Sequence, residues 1–502
     1  MSSQQSQHLY DRLAEYAGSD FYPYHMPGHK RRAHGKLPGE WIDMDITEIE
    51  GFDDLHHPEE ILAGLQREAA ALYGAEESFY LVGGSTCGVQ AAISAAVPRG
   101  GRLLMARNCH RSAYHTVYLR QICVSYLFPS LRSAPVICEA ITPGEVQEAL
   151  EREEDIDAVM IVSPTYEGRI ADVAAIAEIV HAKGIPLIVD EAHGAHLGLA
   201  EGFAPNSCQA GADIVIHSVH KTLPAMTQTA LLHVNGTRIE RDRLRRFLRI
   251  YQTSSPSYVL MASIDNTLQM AREEKEMFVK LRQRFAEMLE RLSACSVLTF
   301  LTGDATEQDI GKLVISTADC HLTGKELADR LREEYHLELE LAGEDYALAM
   351  FTVGDTEEGY ERMTRALLSL DQTLAEQMDS GNVTQTSQMT QALQADIFRQ
   401  SGSHTTTVCE EVQEELQPVL PLSTAWDQPW EKLPLQQAQG RYAGEFIQLY
   451  PPGIPIVVPG EPITSEKYDK IVTYIEKHLN VQGVEFEKGN IWVKVLKNLV
   501  SG

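Results

Sequence analysis

Pro186-Leu187-Ile188-Val189-Asp190-Glu191-Ala192-His193-Gly194 and Asp213-Ile214-Val215-Ile216-His217-Ser218-Val219-His220-Lys221-Thr222 decide the fold. Each opens on a short apolar run and breaks into a cluster of polar residues. Unbroken apolar runs of this length read as strands buried on both faces. Asp157-Ala158-Val159-Met160-Ile161-Val162 is a third such run. Ser78-Phe79-Tyr80-Leu81-Val82 and Arg102 to Ala106 are also strand-like. Helical patterns fall between them: Glu59 to Tyr73, Gly88 to Ala96, and the face formed by Val173, Ile176, Ala177 and Val180. Strands alternating with amphipathic helices predict an α/β fold with a mostly parallel sheet.

Outward from this core the chain divides. Residues 1–45 read as an N-terminal arm, with a helix-like stretch at 6–17 and then Phe21-Tyr22-Pro23-Tyr24-His25-Met26-Pro27-Gly28-His29-Lys30, where Pro and Gly exclude a helix. Residues 46–295 form the large α/β domain, closed by the helical stripe Phe278, Leu281, Phe285, Leu289 and Leu292. Residues 296–377 predict a small α+β domain, with strands at Lys312 to Ser316 and Leu348 to Val353. Residues 378–419 read as a linker, rich in Gln, Thr and Ser over 378–407. Residues 420–502 return to a globular α+β pattern, with a helix at 465–479 and a strand at Ile491 to Leu496.

Composition narrows the function. The 502 residues are 44% hydrophobic and 23% charged, as in ordinary globular proteins. The net charge is −28. So acidic a chain disfavours nucleic acid and anionic membrane surfaces and attracts cationic small molecules, although the charge also serves solubility. No apolar stretch approaches the ~20 residues of a membrane span. The opening MSSQQSQHLYDRL lacks the pattern of a secretory signal. The 8 cysteines form no C-x-x-C pair, which predicts reduced thiols and a cytoplasmic protein without a metal site.

Doubly wound sheets bind ligands beyond the carboxyl ends of their strands. The polar clusters at those ends are Gly83-Gly84-Ser85-Thr86, Ser163-Pro164-Thr165-Tyr166, Asp190-Glu191-Ala192-His193 and Ser218-Val219-His220-Lys221. Gly83 to Thr86 precede a helix, whose free N–H groups and positive dipole end suit an anion such as phosphate; a tight turn with a hydroxyl cap explains them equally. Asp190 ends an apolar strand and needs a cation or hydrogen bonds there. A protonated ring nitrogen is one solution and a helix cap another. Lys221 beside a buried strand can form a Schiff base or bind phosphate, since desolvation makes the amine nucleophilic. His110, in Asn108-Cys109-His110-Arg111-Ser112, could stack on a planar ring.

Together these motifs resemble a fold-type-I pyridoxal-phosphate enzyme, and within that class the prokaryotic Orn/Lys/Arg decarboxylases, in a short form without an N-terminal wing domain. The resemblance is carried by Met26 to Lys30, Gly84-Ser85-Thr86, Asn108 to Ser112, Ser163 to Gly168, Asp190 to Gly194, Ser218 to Leu223, Thr253-Ser254-Ser255-Pro256-Ser257-Tyr258, and Tyr450 to Glu461. It implies a fold-type-I large domain with a mostly parallel sheet and smaller α+β domains. It implies pyridoxal 5'-phosphate held by Lys221 as a Schiff base, with Asp190 on the pyridinium nitrogen. Ser85, Thr86, Ser218 and His220 would bind the phosphate. His110 would stack on the ring, and His193 would sit near the ring hydroxyl or the substrate carboxylate. Lys221 or His220 would return a proton to Cα. Ser254 and Ser255 would reach the site of a neighbouring subunit, making the protein a homodimer, or a multiple of dimers, with shared sites.

The implied reaction is decarboxylation of a cationic amino acid: arginine first, then lysine, then ornithine, in polyamine metabolism. Glu461 is the expected carboxylate for the substrate's cation, against a plain surface role. Transamination is the competing enzyme reading, but it wants an arginine clamp for a second carboxylate, and Tyr450 to Glu461 argue against it. A cofactor-binding regulator without turnover is the third reading, disfavoured by intact Lys221, Asp190 and His110.

Overall fold

The computed structural model describes residues 8–19, 26–27, 30, 39–320, 322–379, 420–450, 453–487 and 489–500. The expectations on Phe21 to His25, Gly28-His29, residues 380–419 and Pro451-Pro452 lie outside the described residues.

The large domain is organised on seven strands: β1 (Glu77–Leu81), β2 (Arg102–Ala106), β3 (Cys123–Leu127), β6 (Ala158–Val162), β7 (Leu187–Asp190), β8 (Ile214–His217) and β9 (Ala230–Val234). A separate hairpin, β4 (Leu131–Ser133) and β5 (Val136–Cys138), interrupts the series. The sheet order is β1-β9-β8-β7-β6-β2-β3. The β2–β3, β2–β6, β6–β7 and β7–β8 pairs are parallel, while β9 runs antiparallel to both β8 and β1. Six strands therefore point one way, and their carboxyl ends share one edge.

The central apolar runs become strands because nothing else hides them. Val159, Met160, Ile161, Ile188, Val189, Ile214, Val215 and Ile216 are all fully buried. Each side chain of this size contributes ~1.5–3 kcal/mol when withdrawn from water. Register then places the polar ends: Val162 faces Asp190, and Asp190 faces Ile216. A one-residue slip would turn these side chains to the opposite face.

Helix Gly84–Ala96 begins earlier than Gly88 and packs over this sheet. Gly88 is a close-approach point: a Cβ there would lie 2.7 Å from Leu81 Cδ1 and 3.1 Å from Ile216 Cγ2. The helix thus bridges the ends of β1 and β8. Helix Glu276–Leu292 buries Phe278, Leu281, Phe285 and Leu292 of the stripe read from the sequence, while Leu289 is half-buried.

One cap differs from expectation. Ser255 with Pro256 reads as a helix start, but the helix runs Tyr258–Glu273 with Ser257 as its cap, Ser257 Oγ accepting from Leu260 N at 3.4 Å. Ser255 N donates instead to Thr253 Oγ1, and Tyr258 O–H donates to the Asp53 carbonyl. Those bonds hold Ser255 in a turn and fix the helix start two residues later.

A second, antiparallel sheet has the order β10-β11-β13-β12, built from β10 (Thr299–Phe300), β11 (Lys312–Ser316), β12 (Leu341–Ala342) and β13 (Tyr346–Met350). Helices Gly324–Tyr335 and Glu357–Asp379 accompany it, the first opened by a Thr323–Glu326 capping box. The C-terminal region holds β14 (Trp430–Pro434), β15 (Arg441–Ala443), β16 (Ile447–Leu449), β17 (Ile454–Val457), β18 (Val481–Gln482), β19 (Glu485–Glu487) and β20 (Asn490–Val500). They form the sheets β14-β20-β15, with β19 on β20, and β17-β16-β18, beside helix Ser465–Glu476.

Candidate active site

The edge where the parallel strands end collects the expected residues. Lys221 lies in the short helix Val219–Thr222 directly after β8. Its Nζ is 3.1 Å from His193 Nε2. Burial lowers the Lys221 pKa, against the opposing pull of Asp190 and Glu340. The amine is therefore closer to its neutral, nucleophilic form than a surface lysine.

Asp190 ends β7 and is buried. Among the described residues its carboxylate accepts one hydrogen bond, from Ala192 N at 3.2 Å. Burial raises its pKa, partly countered by Lys221 and by the Ala192 N–H. A carboxylate this deep with one donor is under-satisfied, and a protonated ring nitrogen would complete it.

His110 caps helix Arg111–Arg120, its Nδ1 accepting from Ser112 N at 3.2 Å. Burial and then the charge of Lys221 push its pKa down to about 4. It is a neutral, flat, apolar face at neutral pH. His193 is buried as well and held far below the usual histidine range by burial, Lys221 and Lys312. Tyr166 packs on it with ring centroids 4.5 Å apart. His220 points elsewhere: its Nδ1 lies 2.8 Å from the Thr229 carbonyl, to which an Nδ1–H donates.

A helix end suited to an anion lies beside these residues. Ser85 and Thr86 occupy the first turn of helix Gly84–Ala96, where backbone N–H groups lack helical acceptors. Gly84 sits at φ +72° and a Cβ there would meet nothing within 4 Å, so the backbone faces open space. Ser218 Oγ, Thr222 Oγ1 and Asn108 Oδ1 are buried and, among the described residues, lack hydrogen-bond partners. Buried polar atoms are seldom left so. A phosphorylated ring compound with a basic ring nitrogen fits this set: an amine, a carboxylate at depth, unpaired hydroxyls and an anion-binding helix end. No group of acidic, His or Cys residues among those described could hold a metal ion.

Two expected residues stand apart from this cluster. Ser254 and Ser255 are exposed on the loop before helix Tyr258–Glu273. Glu461 is a correction. It is 2% exposed and already neutralised. Its Oε2 pairs with Arg107 Nη2 at 3.1 Å and Lys467 Nζ at 3.0 Å and accepts from Val458 N at 3.1 Å. Burial opposes its charge, but Arg107 and Lys467 hold its pKa below the usual glutamate range. With two cations in place, the charge of Glu461 is already compensated, which leaves none for a substrate cation.

Sequence reasoning missed Lys312 and Glu340. Lys312 opens β11, and its Nζ lies 2.9 Å from His193 Nδ1. The clue was the one that marked Asp190, a charge abutting an apolar strand. Glu340 accepts from Tyr166 O–H at the rim of the site.

Comparison with known proteins agrees with this chemistry. Residues 7–316 match the Orn/Lys/Arg decarboxylase major domain and residues 403–497 its C-terminal domain. An arginine decarboxylase of Bacillus subtilis is 31% identical over 499 residues, covering 96% of this chain and 96% of its own. An uncharacterized B. subtilis protein, YaaO, is 32% identical over 489 residues, covering 95% of each chain. Among solved structures, the Escherichia coli constitutive lysine decarboxylase superposes with a TM-score of 0.79 at 18% identity, over 97% of this chain and 82% of that one. That likeness establishes the fold, and the sequence matches establish the lineage: the chain belongs to the Orn/Lys/Arg decarboxylase family.

Proposed function

We propose that this chain decarboxylates a basic amino acid, arginine before lysine or ornithine, with pyridoxal 5'-phosphate as its cofactor. The observation that carries the reading is the placement of Lys221 and Asp190. Both are withdrawn from water at the ends of adjacent parallel strands, beside the unpartnered Ser218 hydroxyl. The arginine preference is supported by the full-length relative named as an arginine decarboxylase. The chain's charge of −28 favours a cationic substrate in general.

When bound, the cofactor supplies an electron sink for the pair left behind when the carboxylate departs from Cα. Lys221 provides the amine that holds it. Asp190 would keep a proton at the ring nitrogen. His110 would cover a ring face with a neutral imidazole, and Ser85, Thr86 and Ser218 would bind the phosphate. His193 holds a proton against Lys221 Nζ, and Lys221 carries it to Cα. His220, turned to the Thr229 carbonyl, braces the Lys221 helix. Since Glu461 is occupied, we assign the substrate's cation to Glu340, the carboxylate other than Asp190 whose field reaches Lys221.

The same reading makes the protein a cytoplasmic homodimer, or a multiple of dimers, with Ser254 and Ser255 serving a partner's site. Among the described residues no helix is long and apolar enough to cross a membrane. The proposed division into an arm (1–45), large domain (46–295), small domain (296–377), linker (378–419) and C-terminal domain (420–502) gives each of the last two globular parts its own sheets.

The test supplies the chain with pyridoxal 5'-phosphate and arginine, lysine or ornithine in parallel, and measures carbon dioxide and the corresponding amine. Equimolar release of both from arginine is expected. A keto acid with no carbon dioxide would establish transamination instead, and no turnover of any of the three would leave a regulator.

A further inference from the structure

His193 stands between two primary amines. Its Nε2 is 3.1 Å from Lys221 Nζ and its Nδ1 is 2.9 Å from Lys312 Nζ. The ring is buried among cations and is not itself protonated. A neutral imidazole offers one N–H and one lone pair. Two ammonium groups would both demand a lone pair, so they cannot both bond this ring. One lysine must be a neutral amine that accepts the ring N–H.

Lys312 is placed to exchange between the charged and the neutral state. It belongs to the second sheet, yet it is 1% exposed and inserted against the loop after β6. Gly168 makes the insertion possible: at φ +95°, a Cβ there would lie 2.6 Å from Lys312 Cγ. Among the described residues no carboxylate lies within ion-pairing distance of Lys312 Nζ. Its charge is favoured at longer range by Asp309, Glu340 and Glu167 and disfavoured by burial and by Lys221, which leave its pKa at about 8. Tyr166 lies under the amine, its ring centroid 6.0 Å from Nζ. Around Lys221 the corresponding groups are Asp190, Glu340, His110 and His220.

We propose that Lys312 is the proton acceptor for Lys221, acting through His193, so that the two lysines share one positive charge. The exchange balances. The Lys221 ammonium gives a proton to His193 Nε2 as the Nδ1 proton passes to Lys312 Nζ. Two N–H bonds break, at Lys221 Nζ and His193 Nδ1, and two form, at His193 Nε2 and Lys312 Nζ; the imidazole changes tautomer, and the charge moves from Lys221 to Lys312. Lys221 is left as a free amine without releasing a proton to water, and the reverse transfer re-arms it as an acid. Lys312 acts on Lys221 only through His193 and is a positioning residue. The inference rests on the reading of Lys221 as the amine that takes the cofactor.

The test needs neither cofactor nor substrate, so its failure is separate from failure of the decarboxylase reading. The full chain, stripped of cofactor, is labelled with trace acetic anhydride across pH, and acetylation of Lys221 is followed by peptide mass against the exposed Lys183. Only neutral amines react. In the unchanged chain Lys221 should titrate well below the ordinary lysine value; a midpoint at that value overturns the proposal. Lys312→Met removes the acceptor and should raise the Lys221 midpoint by at least one unit, a roughly tenfold loss of labelling near neutrality. Lys312→Arg supplies a permanent cation that donates to Nδ1, forces the proton onto Nε2, and should lower the midpoint. A purely structural Lys312 moves the midpoint in neither variant, or in the same direction in both, and either result overturns the relay. Should Lys312→Met fail to fold, the arginine variant and the unchanged chain decide.

Discussion

Arg107 Nη2 and Glu461 Oε2 lie 3.1 Å apart and tie the C-terminal region to the end of β2. Arg107 also donates to the Pro455 carbonyl at 2.9 Å and lies over the rings of Tyr114 and Tyr126. Lys467 completes the cluster. Removing one member of a buried pair leaves uncompensated charge and costs ~3–5 kcal/mol. Glu461→Gln should therefore lower stability by that order in urea unfolding. An unchanged unfolding midpoint would refute the structural role.

Asp190→Asn should keep the fold and still take the cofactor, since the amide is nearly isosteric. Turnover should drop by ~10²–10³, the usual effect of deleting one electrostatic partner of a transition state. Absorbance in the visible reports cofactor binding and amine release reports turnover. Activity within a few-fold of the unchanged chain would remove Asp190 from its assigned role.

Glu191 gives a pH dependence. It is fully buried against His217, with Nε2 to Oε2 at 2.7 Å, and accepts from Ser207 Oγ at 2.7 Å. Burial raises its pKa to about 8, while burial lowers that of His217 to about 3, so the shared proton sits on the carboxyl. Below the ordinary histidine value of 6.5 the proton gained at Glu191 is offset by the one His217 loses on folding, so the folded pair binds more protons than the unfolded one only between 6.5 and about 8. Stability from this group falls as pH rises through that window and is flat above it. Glu191→Gln, whose amide can donate to His217 and accept from Ser207, should flatten the decline. An equally steep decline in the variant would contradict this protonation state.

The shared site is tested by complementation. Lys221→Ala and a chain carrying Ser254→Ala with Ser255→Trp should each be inactive. In a mixed dimer one site collects both defects and the other neither. Mixing should restore up to half the activity per heterodimer. Subunit exchange confirmed by mass with no recovery of activity would assign the loop to its own subunit.

The parts of this molecule legible in the sequence are those whose environment is set locally. β7 and β8 announce themselves because strands buried on both faces must be apolar, and Asp190 and Lys221 stand out as the charges that end them. β2 and β11 keep their expected bounds, Arg102–Ala106 and Lys312–Ser316. β9 was absent from the expected strands. It carries His233, which looks out of place in an apolar run until His217 and Ser78 satisfy it at 3.0 and 2.6 Å. In the sequence Lys312 reads only as a strand residue, because its partner His193 is 119 residues away. Glu461 reads as a free carboxylate for the same reason: Arg107, which neutralises it, is 354 residues distant. Side-chain pairing across domains leaves no periodic trace.

The account turns on the Lys221 amine. The most direct measurement compares amine product formed from arginine by the unchanged chain and by Lys221→Ala, both saturated with pyridoxal 5'-phosphate and both shown to be folded. The unchanged chain should turn over and the variant should fall by several orders of magnitude. Decarboxylation by Lys221→Ala at a rate near that of the unchanged chain would contradict the account.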